Sequence, residues 1–234
     1  MMSKVCIILA GGFGTRLQSV VNDLPKSMAN IADKPFLHHL FNYIEKEGFS
    51  HTILSLGYKS ETVISWLADQ KRPFEISYVI ENTPLGTGGA IRYAFESIEA
   101  QNAFVFNGDT FFDVDTNSQL VFHKTENADI TIALKEMEDF DRYGSVQVTE
   151  HNRITKFNEK QYCKKGLING GVYIINKDIF SRLNLPERFS FEKDIMESHI
   201  NDLVIYGYEQ KGYFIDIGIP SDYEKANIDF KTRE

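Results

Sequence analysis

The sequence predicts an α/β protein: a single domain on a Rossmann-like mixed sheet with helices on both faces. Three observations carry that prediction. Val5-Cys6-Ile7-Ile8-Leu9-Ala10 is a continuous apolar run stopped by Gly11-Gly12, as expected of a parallel strand buried on both faces. Up to about residue 127, short apolar runs alternate with segments of helical spacing, the rhythm of βαβ units. Beyond about residue 128, strands follow one another with little helix between them, so antiparallel or mixed strands extend the same sheet. A chain of 234 residues fits one domain, and no internal repeat, low-complexity tract or Pro/Gly/Ser linker divides it.

Each element has its own signal. After the first strand, apolar positions 36, 37, 40, 41 and 44 form a helical stripe that Gly48 closes. Residues 52–56 read as a strand, 61–67 as a helix, 75–80 as an alternating strand, 89–98 as a helix and 103–106 as a fourth buried strand. In the second half, 130–134, 145–149, 154–157 and 172–175 read as strands, and 191–200 and 221–230 as helices. Tyr206 and Tyr208 read as strand aromatics. His38 and His39 fall on a helix and His51 and His123 in connectors, with no spacing that makes a zinc site.

Composition narrows the function. Apolar residues at 42% and charged residues at 25% exclude disorder and collagen-like repeats. Twenty-five Lys and Arg against thirty-three Asp and Glu give a net charge of −8, which argues against a nucleic-acid coat or a polybasic membrane tether. A single phosphate ligand stays compatible, because a few local cations outvote the global sign. Cys6 and Cys163 form no CxxC pair, which fits a reducing, cytoplasmic setting. The apolar run at 5–10 is too short for a signal sequence, and no stretch approaches the roughly 18 apolar residues of a membrane span.

The turn Gly11-Gly12-Phe13-Gly14-Thr15-Arg16-Leu17 follows the first strand directly, where doubly wound sheets bind ligands. Glycines bring backbone N–H groups close to phosphate oxygens, and Thr15 and Arg16 add donors. Two familiar patterns fail on spacing. G-x-G-x-x-G begun at Gly12 meets Leu17, and the phosphate-loop pattern begun at Gly11 meets Arg16 with no glycine-lysine pair. Pro25-Lys26 adds a compact cation suited to a phosphate oxygen. Asn107-Gly108-Asp109 ends a buried strand at the same edge, and Asp216 closes another apolar strand before Gly218. Two aspartates at two strand ends could converge on one Mg²⁺, a hard cation that prefers oxygen.

This turn with Pro25-Lys26 resembles the signature of sugar-phosphate nucleotidylyltransferases. Leu85-Gly86-Thr87-Gly88-Gly89-Ala90, Asn107-Gly108-Asp109, Phe157-Asn158-Glu159-Lys160, Asn169-Gly170-Gly171-Val172-Tyr173 and Phe214-Ile215-Asp216-Ile217-Gly218 resemble its later motifs, in order. The resemblance implies a nucleotide-diphospho-sugar transferase fold of GT-A type, with residues 1–127 binding nucleotide and 128–234 binding sugar phosphate. It implies catalysis by Arg16, Lys26 and Asp109, with Mg²⁺ on Asp109 and Asp216. Nucleotide binding falls to Ala10, Gly11, Gly12, Gly14, Thr15, Arg16, Glu81, Gly86, Gly88, Asn107 and Gly108. Sugar phosphate falls to Gly144, Glu159, Lys160, Asn169 and Gly170. Asn158 before Glu159, and Gln161 where the family often has proline, bear on the sugar more than on the reaction.

The implied reaction is attack of a sugar 1-phosphate on a nucleoside triphosphate. Phe111-Phe112-Asp113, residues 134–144 and Ile168-Asn169-Gly170-Gly171 resemble most the branch that uses GTP and D-glycero-α-D-manno-heptose 1-phosphate for bacterial surface polysaccharides. Mannose 1-phosphate guanylyl transfer and uridylyl transfer to glucose or N-acetylmuramate 1-phosphate stay open as substrates. A sugar-nucleotide-binding regulatory subunit without chemistry is the alternative of another class. Self-association as a homodimer is a further expectation of the resemblance. With Glu234 as last residue, no appended β-helix and no acetyltransferase activity are expected.

Overall fold

The computed structural model describes residues 4–12, 17 and 24–233. Its parallel core comes from the first half. Strand β1 (Val5–Leu9) is followed by a 3₁₀ turn at Lys26–Met28 and a small ladder of β2 (Asn30–Ile31) and β3 (Lys34–Pro35). Then come α1 (Phe36–Lys46), β4 (His51–Leu56), α2 (Ser60–Leu67), β5 (Glu75–Ile80), α3 (Gly86–Glu96) and β6 (Asn102–Asn107). β1 pairs in parallel with β4 on one side and β6 on the other, and β4 pairs with β5. The chain therefore steps outward from β1 to β5 and crosses back to β6 on the far side of β1. That reversal is a topological switch point, and it opens a crevice beyond the carboxyl ends of β1 and β6.

The period-2 alternation of strand side chains explains the two cores. Cys6 and Ile8 of β1 face a layer with Phe36, Leu40 and Phe41 of α1, Val63 of α2 and Phe104 and Phe106 of β6. Ile7 of the same strand faces Ile91 and Phe95 of α3 with Val105 of β6. Helices thus cover both faces, as expected.

The second half adds β7 (Thr110–Phe112), α4 (Thr116–Thr125), β8 (Ile130–Phe140), β9 (Gly144–Val148), β10 (Ile154–Lys160) and β11 (Cys163–Asn176). A short α5 (Ile179–Arg182), a π-helical segment Phe191–Glu197, β12 (Ile205–Gln210), β13 (Phe214–Asp216) and α6 (Pro220–Asp229) follow. β11 joins the halves. Its residues 172–176 run antiparallel to β6, whereas Leu167 and Ile168 pair with β9 on the same side. Its other side pairs with β8, with a register shift between Asn169 and Tyr173. Gly171 sits at that bulge with φ +72°, a left-handed conformation that glycine adopts without a Cβ penalty.

Several elements differ from the sequence reading. The helix expected at 89–98 begins at Gly86, so the glycine motif is its first turn rather than a loop before it. The helix expected at 191–200 is π-helical over Phe191–Glu197. β10 reaches Lys160, so Glu159-Lys160 lies in a strand, not after one. Helix α4 has no sequence signal because its buried residues, Thr116, Gln119 and His123, are polar. His51 and His123 are accordingly corrected from connectors to β4 and α4.

His123 carries a stability consequence. Its Nδ1 lies 2.8 Å from Thr131 Oγ1 and its Nε2 3.0 Å from Asn102 Oδ1. A neutral ring protonated on Nε2 satisfies both contacts. Burial pushes its pKa down to about 4 from 6.5, with Asp129 opposing and Lys124 reinforcing. The unfolded chain then binds a proton that the folded chain refuses. Stability should fall as pH drops below about 6.5, and the loss should level off below about 4 at on the order of 3 kcal/mol. Denaturant unfolding of wild type and His123→Asn across that window checks this, and the variant's pH slope should be the shallower.

Candidate active site

The crevice at the switch point is a cavity of about 560 Å³, within the size range of small-molecule sites. Backbone contact between two strand ends makes its floor. Gly108 N–H donates to Leu9 O at 3.0 Å, and a Cβ on Gly108 would stand 2.4 Å from that oxygen. Only glycine lets the chain leave β6 this close to β1. Ala10, Gly11 and Gly12 from β1, and Asn107, Gly108 and Asp109 from β6, therefore line one cavity.

Asp109 and Asp216 come together through a second pairing. β13 runs antiparallel to β7 with Asp216 opposite Thr110, and Ile217 N–H donates to Asp109 O at 3.0 Å. Lys26 Nζ donates to Asp109 Oδ2 at 2.9 Å. Asp216 Oδ1 accepts from Gly218 N–H at 2.8 Å. Burial, then the charge of Asp109, raises the Asp216 pKa, against the Gly218 hydrogen bond and the charges of Lys26 and Arg142. An arriving cation or cationic side chain would relieve this crowding of carboxylates. The donor set fits a hard divalent cation that takes two carboxylates and completes its shell with phosphate oxygens. Among the described residues, no group of three or more His, Cys, Asp or Glu gathers as a ready-made metal cage. Ser27 also lines the cavity, and its buried Oγ has no hydrogen-bond partner among the described residues.

The far wall is the segment from Glu81 to α3. Glu81 Oε1 accepts from Ser55 Oγ at 3.1 Å and Oε2 from Leu85 N–H at 2.9 Å, which fixes the turn between β5 and α3. Gly88 and Gly89 N–H donate to Phe189 O at 3.0 and 3.4 Å. Gly86 lines the cavity, but Gly88 does not: it packs beneath the Phe189 ring, which a Cβ would meet at 2.2 Å.

Of the expected site residues, Ala10, Gly11, Gly12, Lys26, Glu81, Gly86, Asn107, Gly108 and Asp109 line this cavity. Gly14, Thr15 and Arg16 lie outside the described residues. Gly144, Glu159, Lys160, Asn169 and Gly170 stand on the antiparallel strands beyond β6, off the cavity wall. Asn169 holds the β11 bulge: its Oδ1 accepts from Gly171 N–H at 2.9 Å and its Nδ2 donates to Tyr173 Oη at 3.0 Å. Glu159 and Lys160 are exposed. Tyr143, just before Gly144, feels the charges of Asp216 and Asp109, so β9 begins beside the carboxylate pair. Sequence reasoning missed Ser27, Ser55, Tyr58 and Glu192 in the lining. None of these sits in a pattern that marks it.

Residues 5–233 match the family described as Nucleotidyl transferase. The chain belongs to that family. This nucleotidyl transferase is 49% identical to the D-glycero-alpha-D-manno-heptose 1-phosphate guanylyltransferase of Aneurinibacillus thermoaerophilus, over 94% of this chain and 95% of that one. It is 46% identical to the protein of the same name from Campylobacter jejuni, over 93% and 96% of the two chains. A mannose-1-phosphate guanylyltransferase of Mycobacterium tuberculosis is 33% identical, and this chain spans 63% of its length. Among solved structures, HddC from Yersinia pseudotuberculosis superposes with a TM-score of 0.86 at 40% identity, covering 97% of this chain and 99% of that one. The same protein is also solved complexed with GMP-PN. No helix among the described residues of the transferase is long and apolar enough to cross a membrane.

Gly88 generates a prediction. In Gly88→Ala the new methyl drives into Phe189 and unseats the wall of the nucleotidyl transferase's cavity. The expected destabilisation is about 1–3 kcal/mol, seen as a lower melting temperature; an unchanged melt would mean the Phe189 ring gives way freely.

Proposed function

We propose that the chain joins D-glycero-α-D-manno-heptose 1-phosphate to GTP, giving GDP-heptose and pyrophosphate for surface polysaccharide synthesis. One observation carries the reading. Lys26 donates to Asp109 in the lining of the switch-point crevice, and β13 sets Asp216 opposite Thr110, the residue after Asp109, in a chain 49% identical to a heptose 1-phosphate guanylyltransferase over nearly the whole of both.

A sugar 1-phosphate has its second ionisation near pH 6 and is mostly dianionic at neutral pH. It needs no serine or histidine to make it nucleophilic. One of its oxygens bonds to the α-phosphorus of GTP, the bond from that phosphorus to the β-phosphate bridge breaks, and pyrophosphate leaves. Two anions must be aligned, so the protein's contribution is position and charge. Lys26 sets its ammonium beside the phosphates, and Arg16 in the glycine turn stabilises the departing pyrophosphate. Gly11 and Gly12 let backbone approach the phosphate chain, and the turn held by Glu81 receives the base. Asp109 and Asp216 would hold Mg²⁺, which when bound supplies charge neutralisation of the phosphates. Glu159 and Lys160 take the sugar and its phosphate from the β10 side. Substrates of this kind place the enzyme in the cytoplasm.

Two experiments test this. Pyrophosphate release should appear with GTP and the heptose phosphate when GTP, UTP, CTP, dTTP and ATP are crossed with heptose, mannose and glucose 1-phosphates. Release with another pair would move the substrate and keep the reaction. Lys26→Ala, Asp109→Ala and Asp216→Ala should each lower turnover about a hundredfold, on the order of 3 kcal/mol of barrier. Wild-type turnover in either aspartate variant would remove that residue from the metal site.

A further inference from the structure

Arg142 is a cation beside Asp216 to which the proposed reaction gives no task. It stands in the bend between β8 and β9, directly before Tyr143 and Gly144. Ring and ion-pair contacts fix its place. The Tyr143 ring meets the Phe214 ring edge-on, with centroids 6.0 Å apart. Phe214 and Asp216 are alternate residues of β13, so they point to the same face of that strand. Tyr143 therefore packs on the face that carries the Asp216 carboxylate. The Arg142 guanidinium lies 5.4 Å from the centroid of the Tyr143 ring, and its Nη2 donates to Asp222 Oδ2 at 2.5 Å. Asp222 belongs to the first turn of α6, the element that follows β13. Burial works against the charge of Arg142, but Asp222, Tyr143 and Asp216 together raise its pKa.

The bond to Asp222 uses one nitrogen of the guanidinium. Among the described residues its Nε and Nη1 have no hydrogen-bond partner, and the side chain is 41% exposed. A guanidinium is a planar fork of donors that matches two oxygens of one phosphate, and it stays charged throughout the working pH range. Gly144 is the register partner of Lys160 across β9 and β10, so the bend carrying Arg142 and the strand end carrying Lys160 meet at one corner. A sugar 1-phosphate is mostly dianionic, and beside Asp216 it meets a carboxylate of its own sign. It can settle there only where cations outweigh that charge. In the proposed reaction Gly11, Gly12 and Lys26 take the GTP phosphates in the crevice, whose lining does not include Arg142. The anion left for Arg142 is the one arriving from the β9–β10 side.

We infer that Arg142 binds the phosphate of the incoming sugar 1-phosphate: the open edge of its guanidinium takes two phosphate oxygens while Asp222 holds the side chain in place. The inference rests on the proposed reaction and gives its nucleophile a second cation beside Lys160. A monoester phosphate has three such oxygens, so the third stays free to attack the α-phosphorus of GTP. Recognition here reads the phosphate rather than the sugar ring.

The test measures pyrophosphate release by wild type, Arg142→Ala and Arg142→Lys. Sugar 1-phosphate is varied at saturating GTP, then GTP at saturating sugar 1-phosphate, and melting temperatures confirm that each variant folds. Expected in Arg142→Ala is a rise of about 10–100-fold in the KM for sugar 1-phosphate, with the KM for GTP unchanged. Arg142→Lys keeps the charge and loses the fork, so its rise should be smaller; it carries the comparison if Arg142→Ala does not fold. Inorganic phosphate, used as a competitor of sugar 1-phosphate, should inhibit the variants less than wild type. An unchanged KM for sugar 1-phosphate overturns the inference. A KM for GTP that rises equally also overturns it, since the Arg142–Asp222 pair would then only shape the site as a whole. So does inorganic phosphate that competes equally well in wild type and variant. Wild type silent with every sugar 1-phosphate overturns the proposed reaction and the inference with it. That result is distinct from an active wild type whose KM for sugar 1-phosphate Arg142→Ala leaves unchanged, which overturns the inference alone.

Discussion

Gly108 gives its N–H to the carbonyl of Leu9, and the arrangement of the site follows from how little room that contact leaves. With no side chain between them, the ends of β1 and β6 diverge from a common point. Gly11 and Gly12 lie on one side and Asp109 on the other. Asp109 in turn receives Ile217 on its carbonyl, which draws β13 against β7 and delivers Asp216. A side chain at position 108 would separate the two strand ends, and with them Gly11 and Gly12 from Asp109.

The carboxylates at the site share the sign of the whole molecule, and Lys26 opposes them. The chain carries a net −8, and Asp109 and Asp216 add to that sign beside the crevice. Lys26 offsets one carboxylate directly. Arg142 lies close enough for Asp216 to act on it while its guanidinium pairs with Asp222 at 2.5 Å. Burial of Asp216 works against its own ionisation. The crevice is thus poised to accept positive charge, which lowers the cost of ionising Asp216.

The sequence was most legible where one residue type has one reason to be present. The apolar run of β1, the stripe of α1 and the strand ends at Asn107-Gly108-Asp109 are visible because burial and close approach leave no alternatives. Legibility failed where polar residues are buried in pairs. Helix α4 hides His123 behind Thr131 and Asn102, so its inner face carries no apolar stripe. Glu192 was unreadable for a related reason. Its partner Thr87 lies 105 positions away, and no local pattern announces such a pair. Gly88 was read for its smallness, but that smallness serves Phe189, a residue the motif does not contain.

β11 serves as a structural strand for both halves at once, pairing with β6 through residues 172–176 and with β9 through Leu167 and Ile168. The first and second halves of the chain are therefore not modules. A fragment ending near residue 127 would leave β6 with one side bare, a row of unsatisfied N–H and C=O groups of the kind that recruits foreign strands. Each half completes its sheet only through the strand it shares with the other.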